Sequence, residues 1–190
     1  YDIFIAKLDT NGNYLWVQQV GCTFFSHGNG IAIDSSGNCY ITGDFQETAT
    51  FGSITLTCSG YPDIFIAKLD PSGNFLWVQQ AVDTITTIGY GIATDSSGNS
   101  YVTGYFFDTA TFGTCTLTSS GGCDIFITKL DTNGNYLWAQ QAGGTSQDIG
   151  SGIAIDSNGN SFVTGRFEGT ATFGTTMFTC NGSYDNFITK

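Results

Sequence analysis

The chain repeats itself every 61 residues without an insertion or deletion. The segment Asp2-Ile3-Phe4-Ile5-Ala6-Lys7-Leu8-Asp9 returns from Asp63, returns again from Asp124 with Thr128 in place of alanine, and begins once more at Asp185. Trp16, Trp77 and Trp138 keep the interval, as do Gly43, Gly104 and Gly165. A fixed period of this length means that each unit is one supersecondary module, which buries its apolar face by stacking on its neighbours. The chain opens inside one unit and stops inside another, so it reads as part of a longer repeat array.

Within a unit the apolar pattern is that of strands. Gly30 to Asp34 is short and apolar and runs into the turn Ser35-Ser36-Gly37-Asn38, followed by a second strand from Cys39 to Gly43. Ala49 to Gly52 and Ile54 to Thr57 alternate as an extra hairpin or a long connection. Ile64 to Leu69 is a third strand, Asp70-Pro71-Ser72-Gly73-Asn74 turns the chain, and Phe75 to Gln80 is the fourth. Helical periodicity is absent, and glycine is placed where tight turns need positive φ. Four antiparallel strands per unit, repeated radially, describe an all-β fold of the propeller type; a β-solenoid is the rival architecture. The expected partition is 1–27 (outer strands of a partial blade), 28–88 and 89–149 (two blades) and 150–190 (a further partial blade).

The run G-I-A-I-D-S-S-G-N-x-Y-x-T-G from Gly30, followed by D-I-F-I-A-K-L-D-x-x-G-N-x-L-W, resembles the SBBP family of β-propeller repeats and, more distantly, NHL blades. The A-T-F-G insert resembles versions found in surface proteins of Bacteroidota. The resemblance implies that Gly30 to Asp34 lines a central channel, that Tyr14 to Gln19 lies at the outer edge, and that there is no catalytic motif to carry over.

Composition narrows the function. The net charge of −11 argues against nucleic acid, whose phosphates would be repelled. No apolar run approaches the ~20 residues that span a bilayer. Asp2/63/124/185, Asp9/70/131 and Asp34/95/156 fall in repeat columns, so the acidity is mostly turn chemistry. Five Lys and Arg in 190 residues favour display outside the cell or on its surface. The six cysteines form no C-x-x-C pair. They read either as buried thiols or as local staples, and a secreted context admits disulfides. The pair expected first is Cys115–Cys123, around Ser119-Ser120-Gly121-Gly122 read as a hairpin tip.

Three groups of residues invite a binding role. Trp16, Trp77 and Trp138, with Gln18, Gln79 and Gln140, could form sugar clefts between blades; the alternative is that the indoles pack between blades and the amides satisfy backbone groups. Trp77, with units on both sides, is expected to be better enclosed than Trp16. Asp9, Asn11 and Asn13, and likewise Asp131, Asn133 and Asn135, place oxygens at the spacing that opens a calcium loop, without its downstream acid; the alternative is a turn in which Asp accepts local N–H bonds. No other cofactor is suggested. His27, the only histidine, reads as a loop residue, and no nucleophile elbow, P-loop or dinucleotide fingerprint accompanies it. The function expected is a non-enzymatic, secreted or cell-surface repeat protein with a structural or adhesive role, associating with itself or with other surface proteins. A glycan-binding propeller is the alternative, and a propeller hydrolase or lyase the third reading.

Overall fold

The computed structural model describes residues 1–58 and 60–190. Among them every regular element is a strand. The N-terminal pair is β1 (Ile3–Leu8) and β2 (Tyr14–Cys22). Next come β3 (Ser26–Ile33), β4 (Cys39–Phe45), the hairpin β5 (Thr48–Phe51) and β6 (Ile54–Thr57), then β7 (Asp63–Leu69) and β8 (Phe75–Gln80). The short β9 (Val82–Asp83) leads to β10 (Thr87–Thr94), β11 (Ser100–Phe112), β12 (Cys115–Leu130) and β13 (Tyr136–Gly144). Then follow β14 (Ile149–Ile155), β15 (Ser161–Phe167), β16 (Thr170–Phe173), β17 (Thr176–Thr179) and β18 (Asp185–Thr189).

Two complete antiparallel blades result, β3-β4-β7-β8 and β10-β11-β12-β13, flanked by β1-β2 on one side and β14-β15-β18 on the other. The innermost strands β3, β10 and β14 stand side by side. A Cβ on Gly30 would lie 2.6 Å from the Tyr90 carbonyl oxygen, and one on Gly91 would lie 3.0 Å from the Gly152 Cα. Only glycine permits that approach.

The inserted hairpin does not stay with its own blade. β5 pairs with the end of β2, Val20 opposite Phe51 and Cys22 opposite Ala49, so it extends the outer edge of the preceding sheet. The later units repeat this, with Val82–Asp83 against Ala110 and Thr111, and Gly143–Gly144 against Ala171 and Thr172. Meanwhile the hairpin phenylalanine packs on its own third strand, with ring centroids 5.0 Å apart for Phe51–Phe65, 4.9 Å for Phe112–Phe126 and 4.6 Å for Phe173–Phe187. Each hairpin is thus hydrogen-bonded to one sheet and packed on the next.

The apolar cores lie between successive sheets. One gathers Ile3, Val20, Ile41, Phe45, Phe51 and Phe65; the next gathers Ile64, Ile66, Val102, Phe106, Phe112 and Phe126. A blade covered on both faces has no solvent side, and β4 and β7 are buried at every residue. That is why these strands read as continuous apolar runs rather than as an alternation.

Cys115 and Cys123 do not form the expected bridge. Residues 119–122 are not a hairpin tip but a bulge within β12, between Thr118 and Cys123. The register partners of Cys115 and Cys123 on β11 are Phe112 and Phe107, five residues apart, and at about 3.3 Å per residue that separation is far beyond the ~7 Å between Cα atoms that a disulfide can span. All six cysteines are free thiols.

Candidate functional site

Strand direction sorts the molecule into two ends. The Asp-x-x-Gly-Asn turns at 9–13, 34–38, 70–74, 95–99, 131–135 and 156–160 all fall at one end, and the inserted hairpins at the other. In every one of these turns the Asp carboxylate accepts two backbone N–H groups, from the residues two and four positions on, and the side-chain amide of the Asn four positions on. At Asp9 the three bonds are 2.8, 2.9 and 2.9 Å, and at Asp131 they are 2.9, 2.9 and 2.8 Å. These donors hold the carboxyls of Asp9 and Asp131 below their ordinary value, the Asn amide contributing most. Asn13 and Asn135 thus turn an N–H, not an oxygen, toward the carboxylate, while Asn11 and Asn133 contribute their backbone N–H. The arrangement closes a hairpin with the oxygens of Asp9 and Asp131 already engaged.

The indole columns also sit at this end, across the blade junctions. Trp16 donates its Nε1–H to the Pro71 carbonyl at 3.0 Å, and Trp77 to the Thr132 carbonyl at 3.1 Å. Lys7 and Lys68 reach the same two carbonyls. Tyr40 lies edge-on to Trp77 at 6.0 Å, carries the Lys68 ammonium over its ring at 4.9 Å and donates to the Gly98 carbonyl. Trp138 stands against Tyr101 in the same way. Trp, Lys and Tyr together fasten each turn to the unit before it. Trp16 engages its turn as Trp77 does, while Trp77 has the Tyr40 ring against it as well.

The amides divide by strand alternation. Gln18, Gln79 and Gln140 stand in register with Ile5, Ile66 and Ile127. It is the second amide of each pair that bonds: Gln19 donates to Asp2, Gln80 to Asp63 and Gln141 to Asp124. The sequence holds that signal, since the Gln and Asp columns share the 61-residue interval, but nothing local says which of two adjacent amides faces the acid.

At the hairpin end the repeat breaks down. His27, Asn29 and Asp44 of the first blade become Ile88, Tyr90 and Tyr105 in the second and Ile149, Ser151 and Arg166 in the third. His27 is not in a loop. It lies in β3 opposite Asp44 of β4, and its Nδ1 is 2.9 Å from the buried Asp44 carboxylate. Asn29 donates to the same carboxylate and, at 3.0 Å, to the Gly89 carbonyl of the next blade. Tyr90 and Tyr105 approach to 5.8 Å between centroids. Burial, then the neighbouring Tyr90, Cys123 and Asp44, raises the Tyr105 hydroxyl above its usual range. Arg166 lies 5.6 Å over the Tyr184 ring. His27, Asn29, Asp44, Tyr90, Tyr105 and Arg166 occupy the innermost two strands of adjacent blades, and Asn29 bridges the first two of those blades through the Gly89 carbonyl. Among the described residues the hydrogen-bond partner of His27 is Asp44 alone, and no hydroxyl or thiol stands in place to be activated by it.

The family model agrees with this architecture. The family model described as the SBBP β-propeller repeat matches residues 76–105 and 137–166, two windows 61 residues apart. An uncharacterized WD repeat-containing protein of Acanthamoeba polyphaga mimivirus is 29% identical over 201 residues, which covers 87% of this chain and 14% of that protein. The regulatory protein FlaEY of Caulobacter vibrioides is 27% identical over 139 residues, 70% of this chain and 14% of that protein. The chain therefore spans about one seventh of the length of either relative. A solved structure of unknown function from Bacteroides caccae aligns with 85% of this chain and 61% of its own at a TM-score of 0.34 and 12% identity. Two matched windows on the internal period and two four-stranded antiparallel blades make this a chain of β-propeller-type repeats similar to the SBBP repeat.

Proposed function

We propose that this protein is a non-enzymatic scaffold of the cell exterior or surface, in which one end of the blades holds the array together and the other meets a partner. The observation that carries this is where the units differ. Columns that stay constant, Trp16/77/138, Lys7/68/129 and Asp9/70/131, are the ones engaged in turns and blade junctions. Columns that change, 27/88/149, 29/90/151 and 44/105/166, gather on the inner strands at the hairpin end. In a repeat whose positions otherwise do the same structural work, residues free to differ are those released from it. The scarcity of Lys and Arg supports the external location. The six free thiols do not supply the staples that location would favour.

A second reading has its own observation. Two tyrosine rings beside an amide are a combination that sugars stack on and bond to, and it lies at Tyr90, Tyr105 and Asn29 rather than at the tryptophans. A glycan array separates the two. The scaffold reading expects no glycan bound above background, and self-association in sedimentation that weakens when His27, Asn29 and Tyr90 are replaced by alanine together. Glycan binding lost on Tyr90→Ala would replace it with the sugar-binding reading.

A further inference from the structure

Beneath the hairpin end, the junction between the two complete blades holds three oxygen-bearing side chains with no cation to match them. Asp63 opens β7 and is 5% exposed; one of its oxygens accepts the Gln80 amide at 3.1 Å. Asp83, in β9, brings its carboxyl against that of Asp63, and the Oδ2 of Asp83 is buried without a hydrogen-bond partner. Thr87 opens β10 on the next blade and is fully buried. Its hydroxyl is turned toward Asp83 yet completes no hydrogen bond. Its backbone N–H is held by the Pro62 carbonyl at 3.1 Å, which fixes the side chain in place. Among the described residues the ion pairs are His27–Asp44 and Lys129–Asp95, so no basic side chain serves this pair of acids.

The neighbouring units treat the same place differently. At Asp2 the second oxygen accepts the backbone N–H of Cys22, which stands where Asp83 stands. At Asp124 the second acid is Asp148, in the Thr87 column, and both of its oxygens accept backbone N–H groups, from Gly144 and Glu168. In the central unit neither solution operates. Asp83 and Thr87 are left with oxygens aimed into one buried space, where an unpaired polar group is costly and two carboxylates would repel each other if both were charged.

We propose that Asp63, Asp83 and Thr87 form a site for calcium at the junction between the two blades. The donors are hard oxygens, two of them anionic, drawn from three separate strands. A calcium ion accepts six to eight such ligands at flexible geometry, with water completing the shell. Bound there, it would neutralise the paired acids, satisfy the Thr87 hydroxyl and tie β7 and β9 to β10. This site is separate from the Asp-x-x-Gly-Asn turns, whose carboxylates are already engaged.

The test uses the whole chain, stripped with chelator and titrated with calcium chloride by calorimetry, with thermal unfolding followed in calcium and in chelator. The expected result is one ion per chain with a Kd of about 10⁻⁴ M or tighter, and a midpoint that calcium raises. Asp83→Asn is expected to abolish both effects, so that the variant unfolds at the same midpoint in calcium and in chelator. Thr87→Val is expected to weaken binding. Asp9→Ala, which cuts a turn carboxylate, should leave the ion bound. No binding heat and no midpoint shift in wild type would overturn the proposal, as would calcium binding that survives both Asp83→Asn and Asp63→Asn.

Discussion

Trp77 donates its indole N–H to the Thr132 carbonyl 3.1 Å away, across the junction between the two complete blades. The ring lies on the turn itself. Gly134 has φ +86°, and a Cβ there would lie 2.8 Å from the indole. Trp16 repeats the arrangement on Pro71 and Gly73. A half-buried indole contributes through packing as well as through its hydrogen bond. Trp16→Ala and Trp77→Ala should therefore each cost roughly 2–3 kcal/mol in denaturant unfolding. Trp77→Phe, which keeps the ring and loses the donor, should cost about 1 kcal/mol. If Trp16→Ala were free of cost while Trp77→Ala was not, the two junctions would not be equivalent.

A contrast between two glycines tests the bulge that shapes each blade. Between Gly89 and Gly91 the register of β10 against β11 shifts, and a Cβ on Gly104 would collide with the Ile88 carbonyl oxygen and approach the Phe126 ring to 2.9 Å. The obstacle is backbone and a packed ring, so relaxation must move a strand. Gly21 lies in β2, with nothing within 4 Å of a Cβ. Gly104→Ala should destabilise by about 3 kcal/mol or more, and Gly21→Ala by less than about 0.5 kcal/mol. Comparable midpoints in urea for the two variants would refute the assignment.

The legible part of this fold was the part that local chemistry encodes. Strands 30–34, 39–43, 64–69 and 75–80 announce themselves by apolar runs between turn residues, and the structure places strands over all four. The turns are legible too, because an Asp four residues before an Asn makes the same three bonds wherever it occurs. What local pattern did not show is which sheet the 48–57 hairpin joins. Thr48 to Phe51 has a similar alternation to any edge strand, and its partner, Val20 to Cys22, lies in the preceding unit. The Cys115–Cys123 error has the same origin. Ser-Ser-Gly-Gly has turn composition, but Phe107 and Thr109 pair with Cys123 and Thr118, so these four residues form a bulge within β12 rather than a hairpin tip. The divergent surface was visible as unequal columns, yet His27 looked like a loop residue until Asp44 stood opposite it.

Thiol chemistry follows from burial. Cys39 is 3% exposed, and burial pushes its thiol up to about 11; Cys123 is 1% exposed and is raised by the same cause. Cys22, Cys58, Cys115 and Cys180 are half-buried. Since the thiolate is the reactive form and burial raises the Cys22 thiol as well, native protein at pH 8 should take up iodoacetamide at Cys58, Cys115 and Cys180 well before Cys22, Cys39 and Cys123. Intact mass should show six alkylated sites after unfolding without reductant. A mass two hydrogens short per missing pair would reveal a bridge that the pairing of β12 on β11 rules out for Cys115 and Cys123.

The buried acids set an unusual pH dependence for so acidic a protein. Burial first, and then the adjoining Asp83 carboxyl, pushes Asp63 up to about 8; burial raises Asp124 to about 6. An acid with a raised folded value keeps its proton in the native state where the unfolded chain, with Asp near 3.9, has lost it. The native state then binds more protons than the unfolded one, so stability falls as pH rises from about 4 to about 8 and levels off above. The turn carboxylates act in the opposite sense. Asp9, Asp70 and Asp156 are lowered by their Asn partners, and the stability they contribute is present above the ordinary Asp value and lost as pH drops below it. In chelator-containing buffer the midpoint of thermal unfolding should therefore peak near pH 4 to 5 and decline from there toward pH 8. Asp63→Asn keeps an acceptor for Gln80 and replaces the shared proton by an amide N–H that does not titrate. It should flatten the decline between pH 6 and 8, where Asp124 has already ionised, and leave the acid side unchanged. A wild-type slope that persists in Asp63→Asn would assign the effect to another group.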